Sequence, residues 1–446
     1  MGGLAVILAL SLAACDFSVT NPGPAADEFL SDPEAFESVV NGANRTFNNA
    51  WNEVARVLAS GTREVFPSGN TGNFGINTNE RRGVYRIDEQ DFQWDNAQQA
   101  RWVAEDALRR FGEALDQAAF NSNEQVARAY LWAGYANRLL GENFCDVVID
   151  GGSLQEGPTG YLTRAEQHFT DAMSVAQNAG NTEFELAALG ARASVRVNLG
   201  DWPGAQADAQ ALLDADDEFV FQTPMSADDT DQYNSIFYST QNQPYKVHTT
   251  WNTFYEDYYA TTDDPRTPWI TDPDFPEGSF GIGQFGPVPW LPQRKYDARD
   301  DPVDLTDARE MMLILAEYEL VMNSDPAAAG DIINNDIRAT VPGVSLPDWP
   351  VGTMAEAWTA LIRERGIELW LEGRRAGDRT RWAASPDMPW QLRSDIQGSL
   401  DVHEIPSDTE PDHERGSGTF LDLTESRVCI PVPDSERDTN PNVPPA

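Results

Sequence analysis

The stretch Trp358 to Trp382, WTALIRERGIELWLEGRRAGDRTRW, constrains this chain more than any other. Trp358, Leu361, Ile362, Leu369 and Trp370 recur at three-, four- and seven-residue spacings, so a helix gathers them on one buried stripe. Glu364, Glu368 and Glu372 then share a face at i, i+4 spacing, which destabilises an isolated helix unless cations lie against it. Arg365 and Arg375 are within helical reach. Arg374, Arg379 and Arg381, around a break at Gly373 and Gly377, can fold back onto the carboxylates. The stretch reads as a structural ion-pair network tying a C-terminal helix to the body, in preference to a catalytic acid pair.

Further helices precede it. Asp27 to Trp51 is amphipathic, with Asp32 as cap and Pro33 at the first helical position, and a second helix follows from Asn52 to Glu64. Phe66 to Glu89 is Gly/Asn-rich and reads as a long loop, too polar for core. Asp95 to Ala119 carries Ala97, Ala100, Ala104, Leu108, Phe111 and Leu115 on one face. Helix pairs come next: Gln125 to Leu140 with Arg164 to Gln177, then Leu186 to Leu199, turning at Gly200-Asp201-Trp202 into Ala205 to Leu213. This last pair resembles a tetratricopeptide repeat, with Ala188, Gly190, Ala191 and Ala205 where paired helices approach. Such pairs cannot bury their faces alone, so they stack on one another and on helices at Asp307 to Met322 and Pro326 to Ala339. Residues 216–304 differ in kind, with many Pro, Asp and aromatic residues and no sustained helical period. Tyr233, Tyr238, Tyr245, Trp251, Tyr255, Trp269 and Trp290 are among the rings there, which either fill a secondary core or face a ligand.

At the other end, Leu4 to Leu12 is a short apolar run followed by Leu12-Ala13-Ala14-Cys15, the pattern of a bacterial lipoprotein signal. Residues 1–14 read as signal peptide, Cys15 as the acylated residue and 15–24 as a tether. No other stretch approaches the roughly 20 apolar residues that span a bilayer. With Cys15 acylated, Cys145 and Cys429 remain, an even number in an exported chain. They form either a disulfide holding the C-terminal tail or two separate buried thiols.

The formal charge of −41 excludes nucleic acid and anionic lipid as general partners. His168, His248, His403 and His413 lack metal spacing. Asp297, Asp300, Asp301 and Asp304 have oxygens that suit calcium, but not in EF-hand order, and a solvated charge run accounts for them. Gly281 to Gly286 matches G-x-G-x-x-G, yet Pro287 and Pro289 forbid the helix that dinucleotide binding needs. No cofactor, metal site or catalytic residue is indicated.

The C-terminal stretch resembles the signature of the SusD/RagB family through Glu364, Arg365, Glu368, Leu369, Glu372, Gly373, Arg375, Asp378, Arg381 and Trp382. Gly366 stands where the family has arginine, and Ala376 and Gly377 where it has aromatics. Ile430-Pro431-Val432-Pro433, Glu436 and Asn440-Pro441-Asn442 resemble its terminus, and Ala308 to Tyr318 its mid-chain helix. The resemblance implies one all-α, predominantly helical domain over 25–446. Its helical repeat core covers about 95–215 and 305–385, its irregular insert about 216–304, and its C-terminal tail 386–446. It also implies a non-enzymatic lipoprotein anchored through Cys15 at the outer membrane and facing outward. Such a protein captures an oligosaccharide and delivers it to a SusC-like TonB-dependent transporter. A peptide ligand, or a protein-binding tetratricopeptide scaffold, is the alternative. In the family, loops of the N-terminal region and of the insert build the ligand surface. Carried onto this chain, that points to Phe66, Asn73, Phe74, Arg81, Arg82 and Tyr85, and to Trp251, Tyr255, Trp269 and Trp290.

Overall fold

A computed structural model describes residues 27–69, 76–81, 84–241, 245–278, 288–384 and 429–445. Cys15, the G-x-G-x-x-G run and most of the tail lie outside them. Among the described residues the chain is predominantly helical, and no helix is long and apolar enough to cross a membrane.

Helix α1 (Phe36–Gly61) is continuous, without the break anticipated at Trp51. Trp51 and Asn52 are both buried mid-helix, because the amide side of the helix has its own partners (below). Asp32 caps the short 3-10 turn before it, accepting from Glu34 N, with Pro33 next in line. Instead of one uninterrupted loop, β1 (Phe66–Pro67) and the turn α2 (Thr78–Arg81) follow. Asn77 Oδ1 accepts from the backbone of Asn79 and Glu80, while buried Glu80 accepts from Asn77 N, so this polar segment closes on itself.

Helix α3 (Asp91–Ala114) starts four residues earlier than the periodicity suggests and ends at Ala114, with α4 (Gln117–Phe120) as a separate turn. Then α5 (Glu124–Asn143), α6 (Thr159–Ala179), α7 (Thr182–Leu199) and α8 (Trp202–Ala215) stack, each on its neighbour. Asn181 and Asp201 cap α7 and α8, and Gly180 and Gly200 end α6 and α7 at φ 73° and 78°, the left-handed turn that glycine supplies. Gly190 lets the next layer approach: a Cβ there would run into Thr306 Cγ2 and lie 2.7 Å from Leu212 Cδ1.

Three small antiparallel ladders fasten the loops. β1 pairs with β5 (His248–Thr249), β2 (Asp146–Val147) with β3 (Gln155–Glu156), and β4 (Val220–Thr223) with β6 (Val303–Asp307). The insert is less irregular than its composition implies, since it includes α9 (Ser235–Gln241) and α10 (Phe254–Thr262). Helix α11 (Ala308–Tyr318) packs on α8, and α12 (Pro326–Asp331) and α13 (Met354–Glu368) pack on α11. The Asp297–Asp304 run is bonded within itself and to β4: Asp301 accepts from Ala298 N at 2.9 Å and Asp304 from Gln222 Nε2 at 2.7 Å.

The C-terminal stretch is built differently from one long helix. α13 ends at Glu368, and Leu369 to Arg374 turn before α14 (Arg375–Ala384). Trp358, Leu361 and Ile362 enter a second core with Leu313 and Ile333, whereas Trp370 belongs to the main core against Tyr255. Leu371 is left-handed at φ 63°, its N–H held 2.8 Å from Glu64 Oε1. Glu364, Glu368 and Glu372 take cations from outside the stretch. Arg338 and Arg266 meet Glu364, Arg266 meets Glu368, and Lys295 meets Glu372 at 2.6 Å. The later arginines go elsewhere: Arg374 to Glu142 and Glu310, Arg381 to Glu317 and Asp378. The reason is the turn, which points Arg374 and α14 away from the carboxylate face of α13 and toward α5 and α11.

Cys145 and Cys429 are bonded, with Cα atoms 5.1 Å apart. Ile430 exchanges backbone bonds with Asn143 and Cys145 beside the bridge, and α15 (Asp434–Thr439) follows.

Candidate functional site

The site begins with the amide side of α1. Asn44, Asn48 and Asn52 recur at i+4, and all three are buried on a helix whose other buried positions are mostly apolar. A buried amide requires partners, and here the insert supplies them. Asn44 donates to Thr223 Oγ1, Asn48 to the carbonyl of Pro224, and Asn52 to that of Tyr233 while accepting from Ser235 N. This ladder lays residues 223–235 along α1. On the other side of α1 runs the start of α3, held by the C-terminal segment. Asp434 N donates to Ile87 O at 2.9 Å, Ser435 Oγ to Asp91 at 2.6 Å, and Trp94 Nε1 to Glu436 at 3.3 Å.

Between these two walls lies a cleft of about 870 Å³. Tyr233, Tyr238, Tyr245 and the exposed Phe92 supply its rings, and Asn49, Gln93 and Asn96 its amides. Tyr233 and Tyr238 are tilted by 55° with centroids 5.7 Å apart, and the Arg299 guanidinium lies 4.8 Å over the Tyr233 ring. Tyr238 and Tyr245 pack against a small core of Val57, Ile76 and Val247 that Tyr85 also joins. Burial, and then the Glu80 carboxylate, pushes the Tyr85 hydroxyl well above its ordinary value, so it stays protonated. Half-buried rings on a fixed base, ringed by polar groups, can stack on the apolar C–H face of a sugar while amides and carboxylates meet its hydroxyls.

Of the ten residues singled out for ligand contact, the six with described side chains, Phe66, Tyr85, Trp251, Tyr255, Trp269 and Trp290, do not line this cleft. Phe66 is 1% exposed, paired through β1 and edge-on to Trp251 at 5.4 Å. Tyr255 is fully buried, stacked on Trp370 at 4.8 Å and donating to Gly366 O. Trp290 is 2% exposed beneath Lys246. These three are core residues, not a ligand platform, because the short helices and ladders of the insert fold their rings inward. Trp251 and Trp269 are half-buried, and Trp269 leans on Tyr259 and donates to Glu256 O. Tyr85 lies under the cleft. Asn73, Phe74 and Arg82, and the Arg81 side chain, lie outside the described residues. Tyr233, Tyr238 and Tyr245 stand in the insert's aromatic set, and the Asn44-Asn48-Asn52 spacing is the signal that could have placed them.

A second cleft, about 880 Å³, lies between β4, α11 and α13. Its floor is charge paired with charge: Lys295 with Glu372, Arg266 with Glu368 and Asp264. Asp307 there is pushed up to about 7, by burial first and then by Glu368, Glu310 and Asp304. Its one aromatic ring, Phe219, is 7% exposed, so it offers no stacking surface. Among the described residues no group of three or more His, Cys, Asp or Glu is arranged to hold a metal ion.

Residues 309–444 match the model of the SusD family. No curated protein matches the chain. The fold is that of several solved structures. A SusD superfamily protein from Bacteroides thetaiotaomicron, 12% identical, superposes with a TM-score of 0.64 over 92% of this chain and 98% of its own. One from Bacteroides vulgatus, 16% identical, gives 0.63 over 92% and 99%. A SusD-like carbohydrate binding protein from Bacteroides vulgatus, also 16% identical, gives 0.56 over 78% and 83%.

Proposed function

From the chain's membership of the SusD/RagB family, we propose that it is an outer-membrane lipoprotein that captures an oligosaccharide in the tyrosine-lined cleft. It hands the ligand, without a covalent step, to a SusC-like TonB-dependent transporter. The observation that carries this reading is the cleft itself: Tyr233, Tyr238 and Tyr245 beside side-chain amides, between the start of α3 and the insert. The solved relative described as carbohydrate binding supports the ligand class. The lipobox at Cys15 supports the anchor, and the family supports the transporter as recipient. On this reading the work of the cleft is binding.

Calorimetry of the mature chain against a panel of oligosaccharides tests the site. Replacing a central aromatic contact costs about 1–2 kcal/mol, so Tyr238→Ala is expected to weaken binding by roughly 5- to 30-fold. Trp269→Ala, away from the cleft, is expected to leave it within about 2-fold. Binding unaffected by Tyr238→Ala and Tyr233→Ala, or absent from the whole panel, would sink the assignment.

A further inference from the structure

The cleft is rich in acceptors and poor in donors. Among the described residues lining it, Glu53, Asp88, Glu89, Asp91 and Asp231 are carboxylates and Arg56 is the one cation. Arg56 is already committed, 2.6 Å from Glu53 Oε2. Two of the lining amide donors are also engaged: Asn52 Nδ2 donates to Tyr233 O and Asn96 Nδ2 to Phe92 O. Arg86 and Arg45 stand at the margins, exposed, each spent on a lining carboxylate, Asp88 and Asp231 respectively. Among the described residues, Asp91 accepts from Ser435 Oγ and Glu89 from Asn79 Nδ2, both neutral donors. A ligand lying on the tyrosines therefore meets a lining in which carboxylates outnumber cations five to one among the described residues.

Resting on the reading of this cleft as a glycan site, we propose that it selects sugars by charge. It takes uncharged or amine-bearing oligosaccharides and rejects those with uronate or sulfate groups. Hydroxyls and ammonium groups donate charge-assisted bonds to the spare carboxylates. A uronate carboxylate finds no uncommitted cation among the described lining residues and sits against a net charge of like sign. An amine on the same backbone gains what the uronate loses. The selection weakens with salt, because the lining charges are open to solvent and screened within about 10 Å at 0.1 M.

The test is an array of purified oligosaccharides, followed by calorimetry on the mature chain at low and high salt. It includes β-1,4 hexamers of glucose, glucosamine and glucuronate, alike in backbone and different in charge, together with other linkages in matched neutral and acidic forms. Within any linkage that binds, the acidic form is expected to be weaker than the neutral one by roughly 10-fold or more at low salt, and the amine form as tight or tighter. About 0.5 M salt is expected to shrink both differences several-fold. Glu89→Gln and Asp231→Asn, at opposite walls, are each expected to narrow the neutral-to-acidic gap several-fold at low salt, read as the ratio of the two affinities in the same variant. An acidic glycan bound as tightly as its neutral counterpart would overturn the selection and leave the glycan site standing. Binding of no glycan of any charge would overturn both.

Discussion

Asp307 offers a sharp test of the charged floor between β4, α11 and α13. Its side chain caps α11, accepting from Glu310 N at 2.7 Å, and the residue is 9% exposed. Burial, then the carboxylates of Glu368, Glu310 and Asp304, pushes it from an ordinary 3.8 up to about 7. The folded protein therefore binds a proton here that the unfolded chain has released. Its contribution is fully present below about pH 4 and is lost as the pH rises through 7. Between pH 5 and pH 8 the loss spans about two pH units before the group ionises, or about 3 kcal/mol at 1.36 kcal/mol per unit. Asp307→Asn keeps a capping oxygen and removes the titration. Guanidinium unfolding at both pH values should show the parent-to-variant difference moving by about 3 kcal/mol in the variant's favour from pH 5 to pH 8. The reasoning fails if the parent-to-variant difference is the same at both pH values, or if it moves in the parent's favour.

Two further outcomes concern how the chain is held together. Reducing the Cys145–Cys429 bridge, which closes a loop of 284 residues, carries a chain-entropy ceiling of about 5–6 kcal/mol. Because residues 434–436 hold the start of α3, Cys429→Ser is expected to lower the unfolding midpoint and to weaken ligand binding, measured by denaturant titration and calorimetry on one preparation; loss of neither would show that the tail holds without it. Glu310, which Arg374 and Arg365 hold down to about 2 against the burial that would raise it, neutralises both arginines in the interior. Glu310→Gln is expected to cost about 3–5 kcal/mol, whereas Glu310→Met with Arg374→Met is expected to cost less than the sum of the two single changes, since the Glu310–Arg374 contact is lost in each single change and only once in the double.

What the sequence made legible, and what it hid, divides along a physical line. The helix pairs from α5 to α8 were readable because their signals are local: small residues at the contact of α7 with α8, and Gly200-Asp201 at the turn between them. The C-terminal helix was readable as core for the same reason, through the spacing of Trp358, Leu361 and Ile362. Its ion pairs were not, because the partners of Glu364 and Glu372 come from Arg266, Arg338 and Lys295, whose proximity depends on how the insert lies. The binding cleft belongs to the second kind. The insert's rings could be counted but not sorted: Tyr255 and Trp290 went inward while Tyr233 and Tyr238 line the cleft. Sorting them needs the insert's register on α1, which the asparagine ladder sets, and the position of α3, which a segment more than 300 residues later holds through Ser435 and Glu436. A polar stripe at i+4 inside an otherwise apolar helix is thus the informative local trace of this site. Buried amides cannot be left unpaired, so three of them in line mark where a loop must lie, and therefore where a cleft can open beside it.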